Sequence, residues 1–186
     1  NALMNLGSRR EALLAMEKSW NTFEFAMKSG WIPQTASTSW FLDLRELFDQ
    51  DPESGEQMIY SLAGPTLSNY QLAGLATYWK AFGDEYIDKS INIMENAIQD
   101  AEPGSNVHLQ LLTTLGSYLV DAGRYEESAE TFRKLSEEHD SPLVLNNLAY
   151  VIGVYLNKPA EGLVLAEQAV KQMPRNPSFV DTVASL

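Results

Sequence analysis

One spacing narrows what this chain can fold into. A large apolar residue followed by a small one occurs at Leu115-Gly116, again at Leu148-Ala149, and again at Val183-Ala184, at nearly equal intervals. Leu75-Ala76 fills the same slot before Leu115 at a slightly longer interval, and Leu42 lies one further interval upstream. Self-similarity with a period of roughly 34 residues is the mark of a repeat architecture. Each unit there buries its apolar face only against its neighbours.

Helix signals and breakers alternate inside this period. Helical stretches are expected over 8–29, 38–49, 53–63, 66–82, 84–101, 106–121, 125–138, 142–155 and 160–173, and from 177 onward. Between them stand the segment "GWIPQTAST", Asp51-Pro52, Gly64-Pro65, Gly83-Asp84, Pro103-Gly104, Gly123, Ser141-Pro142, Lys158-Pro159 and Pro174 to Pro177. Glycine and proline at such positions end or start helices. Connections this short make neighbouring helices antiparallel. No run alternates with a period of two, so the chain reads as all-α.

The clearest unit runs from His108 to Pro142. Leu112, Leu115, Gly116 and Leu119 share one face of its first helix. Gly123 stands where that helix should end, as a glycine in the left-handed conformation does. Tyr125 opens the second helix, and Ser128, Phe132 and Leu135 form its inward stripe. Gly116 and Ser128 are expected to meet small against small, with Tyr125 and Phe132 filling the space beside them.

The stretch "LLTTLGSYLVDAGRYEESAETFRKL" resembles a tetratricopeptide repeat (TPR), a helix-turn-helix unit. The slots of that pattern hold Leu112, Leu115-Gly116, Leu119, Gly123, Tyr125, Ser128, Phe132 and Leu135 here, with Pro142 arriving slightly late. Ser128 and Leu135 depart from the alanines usual in the family. The next unit, "LNNLAYVIGVYLNKPAEGLVLAEQAVKQMPRNP", places Leu145, Leu148-Ala149 and Ile152 on its first helix. Gly162, Ala166, Ala169 and Pro174 mark its second, and one extra residue is needed at the turn around Asn157 to Pro159. A weaker unit carries Leu75-Ala76, Trp79, Gly83, Ser90, Met94, Ala97 and Pro103.

The resemblance implies an all-α, right-handed superhelical solenoid of antiparallel helix pairs. Its divisions would be an irregular helical part over 1–68, with a degenerate repeat at 38–65, then a divergent repeat over 69–104. Repeats over 105–142 and 143–176 would follow, and 177–186 would open another. Asn146 to Tyr150, the "AEQA" helix, "PRNP" and Asp181-Thr182 are further similar to repeats of large bacterial envelope proteins, among them those of exopolysaccharide export and exosortase sorting.

Composition excludes several functions. Asp plus Glu is 25 and Lys plus Arg 13, a formal net charge of −12. The densest basic spots, Arg9-Arg10 and Arg133-Lys134, are interleaved with glutamate, so nucleic-acid binding is not expected. The chain has no cysteine, hence no disulfide and no cysteine zinc site. No run reaches the roughly 18–20 apolar residues of a membrane span. Asn1 begins the sequence without a leader pattern, and "PSFVDTVASL" stops within a helix, so the sequence reads as a piece of a longer protein and leaves the compartment open. An uncapped repeat at that end would favour self-association.

Motifs for catalysis or metals fare poorly. Gly116 and Gly123 lack the Gly-Lys-Ser/Thr ending of a phosphate loop and the preceding strand of a dinucleotide fingerprint. The acidic stretch "DQDPESGEQ" puts Ser54 and Tyr60 where a calcium loop needs glycine and glutamate, and reads better as a helix start near Asp51 or Pro52. His108 and His139 sit at opposite ends of a hairpin and are expected to be exposed. Glu126-Glu127 and Glu137-Glu138, adjacent in sequence, diverge around a helix. No catalytic residue, cofactor site or metal site is therefore assigned. The aromatic set Trp31, Trp40, Tyr70, Tyr78 and Trp79 reads mainly as core.

In the family resembled, partners lie in a concave groove made by the first helices of successive repeats. That implies a partner-binding groove of Tyr70, Thr77, Lys80, Thr113, Ser117, Asp121, Asn146 and Tyr150, with Asp181 beyond. The expected function is a protein-interaction scaffold holding a peptide or domain. The alternatives are an accessory module for sugar-polymer or lipid export, which exposed Trp79 and Tyr150 would favour, and a regulatory repeat domain attached to an enzyme.

Overall fold

The computed structural model describes residues 52–63 and 67–186. The helices expected over 8–29 and 38–49, together with Trp31 and Trp40, lie outside the described residues. Every regular element among those described is helical. The chain divides into two compact units, the boundary falling between Tyr86 and Ile87, inside the repeat expected over 69–104.

In the first unit, α1 spans Pro52–Ala63 and α2 spans Asn69–Phe82, followed by a 3₁₀ turn at Asp84–Tyr86. Residues 52–57 of the acidic stretch thus form the first turns of a helix. Helix α2 starts later than expected because Ser68 caps it: its hydroxyl accepts from the Gln71 N–H at 3.4 Å while Gln71 Oε1 accepts from the Ser68 N–H at 2.7 Å. This reciprocal pair satisfies two of the donors a helix start leaves open. The Tyr78 hydroxyl donates to the Pro52 carbonyl at 3.1 Å, fastening α2 to the start of α1.

The second unit carries six helices: α3 Ile87–Gln99, α4 Asn106–Asp121, α5 Tyr125–Glu138, α6 Pro142–Tyr150, α7 Pro159–Gln172 and α8 Pro177–Ser185. Each packs on its sequence neighbours, α4 on α5 and α6 on α7 most extensively, giving stacked helical hairpins. Phe132, Leu135, Val144, Leu148, Val151 and Ile152 form a continuous buried cluster across the two hairpins. The inward stripes read from the sequence supply much of it.

The α4–α5 turn closes on Gly123 at φ +73°, as expected. The Arg124 N–H donates to the Leu119 carbonyl at 2.8 Å and the Gly123 N–H to that of Val120 at 2.9 Å. This is the double closure of a Schellman motif. Gly116 and Ser128 meet at the crossing as expected: Ser128 donates its hydroxyl to the Gly116 carbonyl at 2.8 Å. Phe132 fills the space beside them, and a Cβ at position 116 would lie 2.5 Å from its ring.

The extra residue of the next hairpin lies upstream of the turn in which it is expected. After Tyr150 the chain widens into a π-helical turn over Val151–Tyr155. Asn157, at φ +54°, then takes the left-handed role of Gly123. The closing bond runs from the Lys158 N–H to the Ile152 carbonyl at 3.0 Å, one residue longer than its counterpart. Single π-turns of this kind absorb one inserted residue within a helix. Helix α7 begins at Pro159, whose missing N–H costs nothing in a first turn.

The histidines are half-buried, not exposed. His108 Nδ1 accepts from the Gly104 N–H at 3.4 Å. His139 Nε2 is buried without a hydrogen-bond partner.

Candidate functional site

The first helices of the two hairpins, α4 and α6, together with α8, border an open groove of about 330 Å³. Four sequence-predicted residues come together in it. Ser117 and Asp121 project from α4, and Asn146 and Tyr150 from α6. Spacing explains the pairing, since residues four apart on a helix share a face.

Thr113 lies one turn before Ser117 on α4, half-buried and outside the lining of this groove. Tyr70, Thr77 and Lys80 sit half-buried on α2 of the first unit. Asp181 is exposed on α8, whose contributions to the groove are Ser178 and Thr182.

Several hydroxyl donors are already engaged. Thr113 donates to the Leu109 carbonyl at 2.8 Å, Ser117 to that of Thr113 at 3.2 Å, and Thr182 to that of Ser178 at 3.0 Å. Such bonds to the preceding turn spend the hydroxyl proton within the helix. The hydroxyls of Ser117 and Thr182 therefore present oxygen lone pairs to the groove.

Asn146 stands apart. It is 8% exposed, and its Oδ1 is buried with no hydrogen-bond partner. A buried amide oxygen left unpaired costs on the order of 1–3 kcal/mol. In an open groove, a ligand donor can recover that loss.

Tyr155 also lines the groove, and regular helical spacing does not reveal it. In a regular helix it would stand roughly 140° around from Tyr150. The π-turn carries it to the same side. Its ring stacks on Tyr125, centroids 4.5 Å apart and planes 9° from parallel, and meets Tyr150 edge to face at 5.5 Å. Burial foremost, then the neighbouring Tyr150, Tyr125 and Asp121 and a hydrogen bond with Tyr150, push its hydroxyl above the ordinary tyrosine range. Tyr150 and Tyr155 are each 38% exposed, so both rings remain reachable from solvent. Asp121 is the charged residue of the lining, which contains no lysine, arginine or histidine.

Comparison with known proteins bears on the fold. No family profile and no curated protein matches the chain. Among solved structures, "MamA RS-1 ArsTM double mutant" superposes with a TM-score of 0.57 at 12% identity, covering 79% of this chain and 81% of that one. MamA is a TPR-type protein. The fold is TPR-like. At this identity the likeness concerns the arrangement of helices alone.

Among the described residues, no helix is long and apolar enough to cross a membrane.

Proposed function

We propose that this chain is a protein-interaction scaffold, a right-handed stack of TPR-like hairpins that holds an extended peptide along the groove of α4, α6 and α8. The observation that carries this reading is the buried, unpartnered Oδ1 of Asn146 on the groove floor. A backbone or side-chain N–H of a bound segment is the donor it lacks. Around it, the oxygens of Ser117, Ser178 and Thr182 and two exposed tyrosine rings offer further contacts to a polypeptide.

In this reading the chain has no catalytic role and needs no cofactor. The sugar-polymer alternative loses one of its two expected aromatic residues, because Trp79 is 0% exposed. We propose further that these are repeats of the bacterial envelope-export type, a reading supported by the string from Asn146 to Tyr150 and its neighbours in sequence. A pull-down with the intact protein, repeated with Asn146→Ala and Thr113→Arg, tests the groove. Loss of the captured partner with Asn146→Ala is expected; an unchanged partner set with both variants would remove the groove from the mechanism.

A further inference from the structure

We propose that the groove recognises a basic segment, seating one arginine side chain of the bound peptide between Asp121 and the Tyr150–Tyr155 pair. This inference rests on the scaffold reading and names the chemistry of its partner.

Three observations converge on a cation. Beside the amide of Asn147 and the hydroxyl of Ser178, the groove's polar edge offers several acceptors: the unpartnered Asn146 Oδ1, the Asp121 carboxylate, and the hydroxyl oxygens of Ser117 and Thr182, whose protons are spent on their own helices. Its aromatic edge is Tyr150 and Tyr155, both exposed and held by the stack of Tyr155 on Tyr125. Its charged residue is Asp121, and the lining holds no lysine, arginine or histidine.

Each class of incoming side chain can be weighed against this lining. A carboxylate would face the negative charge of Asp121 with no cationic side chain in the lining to receive it. An aliphatic chain brings no donor, and Asn146 Oδ1 would stay buried and unpaired. A guanidinium supplies several donors in a fixed plane, lies flat on tyrosine rings and is weakly hydrated. Lysine offers the same charge as a compact ammonium and gains less from the aromatic edge. The chain's formal charge of −12 also draws basic segments toward it.

The test is selection from a random-peptide display library on the full chain, followed by affinity measurement on the strongest peptide. Arginine enriched at one fixed position is expected. Replacing it by citrulline, which keeps the shape and removes the charge, should weaken binding about tenfold or more, the weight of one charge-assisted hydrogen bond. Asp121→Asn should weaken the arginine peptide similarly and leave the citrulline peptide unchanged, whereas Asn146→Ala should weaken both. Far-UV circular dichroism confirms that the variants are folded. Selected peptides without a fixed basic position, still weakened by Asn146→Ala, overturn the arginine inference and leave the scaffold reading standing. An equal weakening of both peptides by Asp121→Asn overturns it in the same way. If no peptide is selected, or Asn146→Ala changes no affinity, the groove reading falls and the arginine inference falls with it.

Discussion

Ser128 donates its hydroxyl to the carbonyl of Gly116 at 2.8 Å, across the crossing of α4 and α5. The bond is buried and joins residues distant in sequence. It shows how a serine can occupy a slot that the repeat pattern fills with alanine: its oxygen finds a backbone acceptor on the facing helix. Phe132 completes the crossing by laying its ring over the bare Cα of Gly116.

Gly116→Ala should therefore destabilise the protein. The added methyl would lie 2.5 Å from Phe132, itself buried and unable to swing into solvent. Overpacking of this kind costs about 1–3 kcal/mol, against up to about 1 kcal/mol gained from helix propensity. Gly116→Leu should cost more. Urea denaturation measures both, and Phe132→Leu in the Gly116→Ala background should be less damaging than the two single changes predict, because the shortened side chain makes room.

Gly162 occupies the slot of Ser128 one repeat later, yet the surroundings differ. A Cβ there would stand 2.6 Å from the Ala149 carbonyl oxygen and 2.8 Å from the Gly153 Cα. Backbone atoms cannot rotate aside as a ring edge can. Gly162→Ala should thus cost more than Gly116→Ala, at or above the upper end of a range of about 1–3 kcal/mol. Gly162→Ser, which imports the residue found at position 128, should be worse still. Equal midpoints in urea for the two alanine variants would contradict this ordering.

These two slots mark what sequence can disclose. Periodicity identifies small residues where helices cross, because close approach leaves no other choice, but residue size does not say how each neighbour makes its contact. At Gly116 both expected neighbours are present, Ser128 through its hydrogen bond to the carbonyl and Phe132 through its ring over the Cα. The same limit governs the groove. Ser117, Asp121, Asn146 and Tyr150 are legible because regular helical spacing sets their face. Tyr155 is hidden by the π-turn, which breaks that spacing. The extra residue in the second hairpin is the available signal, but the proline and asparagine near it point to the turn instead of the helix. On α8, Asp181 stands exposed, while Ser178 and Thr182 border the groove.

Asn157 gives a conformational test. It holds φ +54°, a left-handed backbone that costs a residue with a Cβ roughly 1–2 kcal/mol and that asparagine tolerates better than most. Asn157→Gly should be neutral or slightly stabilising, and Asn157→Val should lower stability by about that amount. Its exposure leaves little packing to confound the comparison. Thermal melts of the two variants beside the wild type decide it.

Acid stability should depend on the first turns of α5. Arg124 grips Glu127 through two 2.6 Å hydrogen bonds, and Lys134 lies 2.8 Å from Glu130. Those hydrogen bonds, foremost, hold both carboxyls below the ordinary glutamate value of 4.5. A carboxyl whose folded pKa is lowered stabilises the fold fully above its unfolded pKa and loses that contribution as pH falls through the folded one. Both pairs are exposed, so the effect should be small and weakened by salt. The double variant Glu127→Gln, Glu130→Gln should flatten the midpoint-against-pH curve below about pH 4.5 and leave its slope near neutrality unchanged.

The π-turn predicts an asymmetry between two deletions. Val154 is exposed within that turn, and removing it lets the helix close with ordinary bonds. Residues up to Gly153 keep their places, and Tyr155 moves to four residues beyond Tyr150, roughly 40° around the helix and still on the groove. Asn157 and Pro159 then follow as Gly123 and Tyr125 do in the preceding hairpin. Deleting Val154 should change stability by no more than about 1 kcal/mol, within the range of ordinary point changes. Ser117 is equally exposed but sits in a regular helix. Deleting it turns every later residue of α4 by roughly 100°, driving Leu119 out of the core and Gly123 out of its turn. That variant should lose cooperative unfolding altogether. Comparable denaturation curves for the two deletions would mean that the wide turn is not where the inserted residue resides.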